Sequence, residues 1–84
     1  MKYSEFLKVV KVKSQEEKDI EAVEQNGYAI EYVKEQTEAI CMAAVKQNGN
    51  ALYNVKEQTE AICIAAVKQN GYALQYVNKE IFDK

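Results

Sequence analysis

Eighty-four residues, 48% hydrophobic and 29% charged with no proline, make one small domain of unbroken helices and exclude a disordered, collagenous or disulfide-stapled chain. The net charge is −2 and all eleven basic residues are lysines, which argues against a nucleic-acid surface, where arginines grip phosphate and guanine with paired bonds. Histidine is absent, so imidazole catalysis and histidine-containing zinc sites are excluded.

At the N-terminus, Tyr3, Phe6, Leu7 and Val10 fall at helical spacing and predict a capping helix within residues 1–13. Val9, Val10 and Val12 also suit a strand, because branched side chains favour extended backbone. Neither an apolar h-region nor a run of roughly 18 apolar residues is found, so the expectation is a soluble, cytoplasmic protein away from membranes. The basic cluster Lys2, Lys8, Lys11, Lys13 and the acidic one Glu16, Glu17, Asp19, Glu21, Glu24 read as solvated helix faces.

Beyond residue 13 the chain repeats itself. Gly27, Gly49 and Gly71 recur every 22 residues, and Val33–Asn54 returns as Val55–Tyr76 with four changes. The repeats divide as 14–36, 37–58 and 59–80, with a tail over 81–84, all within a single domain 1–84. Ser14 followed by Glu17 forms a capping box, and Thr37 and Thr59 can cap the helices that follow, whose first turns carry Glu38 and Glu60. Each of these helices, about eleven residues long, stops at Gln-Asn-Gly, where the glycine is expected to take the left-handed C′ conformation. A second, shorter helix of about seven or eight residues is then predicted through Val33, Val55 and Val77. A unit this small cannot bury its own apolar face. Ile40, Cys41, Ala44 and Val45 form one stripe and Ala39, Met42 and Ala43 another, as expected of a helix packed on both sides. The predicted fold is therefore all-α, a short solenoid of about three helical hairpins. In the first copy Glu17, Lys18, Asp19 and Glu21 replace apolar residues and give a polar outer cap. Ile81 and Phe82 either fold back on the last hairpin or stay available to a partner.

Few residues point to chemistry. Cys41 and Cys63 sit one repeat apart, on helices whose axes should lie about 8–10 Å apart, too far for a disulfide; they read as small buried hydrophobes. The Gln-Asn-Gly turns lack a Walker lysine, and the glutamates have no apolar pocket to raise a pKa. No catalytic, metal or cofactor residue is expected, and the chain does not read as an enzyme. The six tyrosines are the better candidates, since tyrosine combines rigid apolar area with a polar tip. Three of the four variable positions lie on the second helix. The candidate partner-binding residues are thus Tyr28, Glu31, Tyr32, Asn50, Tyr53, Asn54, Tyr72, Gln75 and Tyr76; Glu31, Tyr53 and Gln75 form one row and Tyr32, Asn54 and Tyr76 another.

The motifs EAICMAAVKQNGNALYNVKEQT and EAICIAAVKQNGYALQYV, with EQNGYAIEYVKEQT before them, resemble the tandem helical repeats of domain-of-unknown-function family four-one-one-six over about three quarters of the chain. That family has no assigned activity or ligand residues. Its repeats are also similar to parts of small proteins proposed as anti-CRISPR factors, which implies a virus- or prophage-encoded inhibitor of an RNA-guided RNase in bacterial defence. The expected partner is a protein. The alternative is a structural protein that associates with itself, as a homodimer through the C-terminal end.

Overall fold

The computed structural model describes residues 13–82; the expected N-terminal capping helix lies outside them. Helix α1 spans Gln15–Gln25, α2 Glu38–Gln47 and α3 Glu60–Gln69. Each starts where a hydroxyl satisfies a free first-turn amide. Ser14 accepts from Glu17 N–H while Glu17 accepts in return from Ser14 N–H, a complete capping box, and Thr37 and Thr59 accept from Ile40 and Ile62 N–H. The helices stack in chain order, α2 between α1 and α3, and the described residues contain no strand. The protein is an all-α stack of repeats.

The second element of each unit differs from expectation. Gly27–Tyr32, Gly49–Asn54 and Gly71–Tyr76 are 3₁₀ helices of six residues. Asn26, Asn48 and Asn70 nucleate them by accepting from the N–H two residues on, which draws the chain into a tighter turn. Three residues per turn then place every third residue on one face. Gly27, Ile30 and Val33 share such a face, as do Gly49, Leu52 and Val55, and all six are buried. An α-helix would spread these residues around its surface. The 3₁₀ pitch keeps them in one stripe against the next helix.

The glycines act differently from the predicted left-handed caps, since none has positive φ. Asn26, Asn48 and Asn70 end the α-helices in extended backbone instead. Glycine is needed because the next helix comes too close for a side chain. A Cβ at Gly27 would lie 2.6 Å from the Ala44 carbonyl oxygen, and one at Gly49 would meet that of Ala66. Gly71, with no unit beyond it in the structure, has open space around it.

The core follows from this arrangement. Ile40, Cys41, Ala44 and Val45 of α2, and Ile62, Cys63 and Ala66 of α3, are buried with Val23, Ile30 and Leu52. Full burial of each large side chain contributes about 1.5–3 kcal/mol. The second predicted stripe is less enclosed: Met42 and Ala43 are half-buried and Ala39 is exposed. Ile81 lies in a short turn, Lys79–Ile81, against the core, while Phe82 remains largely exposed.

Gly49→Ala is therefore expected to destabilise the fold by about 1–3 kcal/mol through overpacking. Gly71→Ala should leave it unchanged or more stable by about 0.4–1 kcal/mol, because it only restricts the unfolded chain. Urea denaturation of the two variants checks the contrast.

Candidate functional site

Four glutamines, Gln36, Gln47, Gln58 and Gln69, hold the stack together, and sequence reasoning missed all of them. Gln47 Oε1 accepts from Gly27 N–H at 2.6 Å, and Gln69 Oε1 from Gly49 N–H at 2.5 Å. These bonds satisfy an amide at the start of the first and second 3₁₀ helices that its own unit leaves unpaired. The second pair sits in the connecting segments. Gln36 Nε2 donates to the carbonyls of Ile30 and Asn54 at 3.2 and 3.0 Å, and its Oε1 accepts from Lys56 N–H at 2.9 Å. Gln58 repeats the pattern one unit later, donating to Tyr76 O at 2.8 Å and accepting from Asn78 N–H at 2.7 Å. Each amide thus bridges two successive connections whose irregular backbone would otherwise lack partners.

The cysteines belong to this bridge. Both are buried and free. Cys63 Sγ donates toward Gln58 Oε1 at 3.4 Å, and Cys41 Sγ toward Gln36 Oε1 at 3.9 Å. Burial pushes both thiols above their ordinary pKa, and the Glu38 carboxylate adds to the effect at Cys41. A neutral thiol can donate to the amide oxygen; a thiolate would face it with like charge. No group of three or more acidic or cysteine side chains that could hold a metal occurs among the described residues.

The candidate binding residues separate into two sets. Three residues per turn place Tyr28 with Glu31, Asn50 with Tyr53, and Tyr72 with Gln75 along one outward strip of the stack. All but Asn50 are exposed, Tyr53 by 71% and Tyr72 by 79%. Asn50 is half-buried, and its Oδ1 is buried without a hydrogen-bond partner; both neighbouring units have tyrosine there. The row Tyr32, Asn54, Tyr76 does not form an equally open surface. Asn54 and Tyr76 are half-buried, and the Tyr76 ring lies edge-on to Tyr53 of the preceding unit, centroids 5.3 Å apart. Tyr32 precedes the joints and is 82% exposed. The result is one tyrosine ridge rather than two parallel rows.

Replacing Gln58 by Met, which keeps the volume and removes the amide, should destabilise the protein by about 0.5–1.5 kcal/mol through loss of its bonds to the half-buried Tyr76 carbonyl and the Asn78 N–H; thermal unfolding measures it. The thiol shifts have a defined sign as well. A folded-state pKa above the unfolded value means that the folded protein holds protons the unfolded chain has lost. Stability should then fall as pH rises above about 9. Denaturation as a function of pH should show this fall in the wild type and a flatter profile in Cys41→Ala/Cys63→Ala.

No helix among the described residues is long and apolar enough to cross a membrane. No curated protein and no solved structure matches the chain. A family model, described as Domain of unknown function (DUF4116), matches twice, over residues 20–59 and 40–82. Each match takes in one glutamine-clamped joint, and the two overlap on α2 and the second 3₁₀ helix. By these two matches the chain belongs to the DUF4116 family.

Proposed function

We propose that this protein is a non-catalytic helical-repeat module that binds another protein through its tyrosine ridge. The observation that carries this reading is where the repeats differ. The clamping glutamines, the glycines, the capping threonines and the buried stripe are identical between the near-duplicate segments Val33–Asn54 and Val55–Tyr76. Three of the four differences, Asn50/Tyr72, Tyr53/Gln75 and Asn54/Tyr76, fall on or beside the ridge. Folding fixes the first group; the second is free to answer to a partner. Exposed tyrosines suit that role, because each offers a large contact area with few rotamers to immobilise.

In its narrower form, drawn from the resemblance to proposed anti-CRISPR proteins, the partner is a bacterial RNA-guided RNase. Binding to the immobilised nuclease together with an RNA-cleavage assay tests this. The wild type should bind and inhibit, and Tyr32→Ser/Tyr72→Ser should bind at least tenfold more weakly. Both positions are exposed, so its thermal midpoint should stay near that of the wild type. Undiminished cleavage and no binding at excess protein would remove the nuclease from the proposal. Equal binding by wild type and variant would remove the ridge.

A further inference from the structure

An apolar strip crosses α2 and α3 on the side turned away from the core. Ala39 and Ala61 are exposed, Met42, Ala43 and Ala65 are half-buried, and Ile64 is 48% exposed, where the outward side of a surface helix is ordinarily polar. Between the two helices Met42, Ala61, Ile64 and Ala65 line a groove of about 640 Å³ whose charged residues are Lys46 and Lys68. Both lysines are exposed, and neither forms an ion pair among the described residues. A lysine in the last turn suits the helix dipole. The dipole accounts for one cation per helix and leaves the apolar strip beside it without a reason.

We propose that this groove takes an acidic amphipathic helix of a partner protein, laid across α2 and α3. The charges set the occupant. Equivalent positions on packed helices lie about 8–10 Å apart, so Lys46 and Lys68 present two cations at that spacing. Carboxylates seven residues apart on a helix share a face and are separated by about 10 Å, which matches it. Met42 and Ile64 lie about one turn before the lysines on their own helices. Apolar residues on the adjoining flank of the partner helix therefore rest on Met42 and Ile64 while its carboxylates reach the lysines, the helix-in-groove mode of recognition. A single-headed anion such as a fatty acid would answer one lysine and leave the other. The first unit marks the limit of the site. At the positions of the alanines and lysines α1 carries Glu17, Glu21 and Glu24, which repel an acidic helix and hold it over α2 and α3. The groove shares no residue with the tyrosine ridge.

The probe is an alanine-based helical peptide of about 15 residues, with two glutamates seven residues apart and leucines on the adjoining flank, titrated with the full chain and followed by fluorescence anisotropy. The wild type should bind it with a Kd on the order of 100 µM, and added salt should weaken the binding. The same peptide with lysines in place of the glutamates should bind about tenfold more weakly. Lys46→Glu/Lys68→Glu should reverse that order and prefer the lysine peptide; the comparison of the two peptides on the wild type decides even if this variant fails to fold. Tyr32→Ser/Tyr72→Ser should bind as the wild type does, which separates the groove from the ridge. Equal binding of both peptides by the wild type, no binding of the glutamate peptide at roughly 1 mM, or its displacement by equimolar dodecanoate would overturn the proposal. So would a free chain whose mass doubles with concentration unless the two lysines are reversed, since a second copy would then hold the groove.

Discussion

The architecture depends on backbone amides that one unit cannot satisfy and the next unit can. Gly27 and Gly49 each hand their N–H to a glutamine 20 residues ahead, and that bond forms only if the following helix lies almost on the glycine Cα. The close approach forbids a side chain at the glycine, sets small alanines opposite, and aligns the 3₁₀ stripe with its neighbour. Gln36 and Gln58 repeat the arrangement at the connections, bridging to residues 18 and 20 positions on. All of these bonds join adjacent units, so stability is a sum of near-identical joints, as in other one-dimensional stacks. The repeat length is itself a consequence, because only a fixed spacing lets Gln36, Gln47, Gln58 and Gln69 all meet their partners in the adjoining unit.

Much of this is legible in the residues. The 22-residue period, the capping hydroxyls and the apolar stripe of α2 lead directly to an all-helical stack, because each rests on a local rule that tertiary context leaves intact. The 3₁₀ segments read at first as α-helices although their signal is present: glycine, Ile or Leu, and valine recur every three residues, not at the 3.6 spacing of an α-helix. For the glycines, sequence suggests a backbone role when the true constraint is steric and comes from another unit, which a single repeat read alone cannot reveal. The glutamines escape notice because an amide side chain reads as solvent-facing. Their identity in both close copies is the available clue.

The tyrosines show the same division between local and inter-unit information. Their positions on the short helices follow from spacing, yet the two expected rows become one ridge, since Tyr76 turns to meet Tyr53 across a joint. The cysteines are expected as inert hydrophobes, and burial bears that out. Their contact with the clamping glutamines gives them a polar role too, because the thiol hydrogens help to orient the amides that tie neighbouring connections together.

Because the clamp bonds end on main-chain atoms, they are indifferent to most of the side chains around them. A unit can be duplicated, removed or exchanged with its bonding pattern intact, while residues on the outer strip change freely. Such a chain grows by copying and diversifies by point substitution, two processes that do not interfere. It is a natural format for a ruler whose length and markings are adjusted separately.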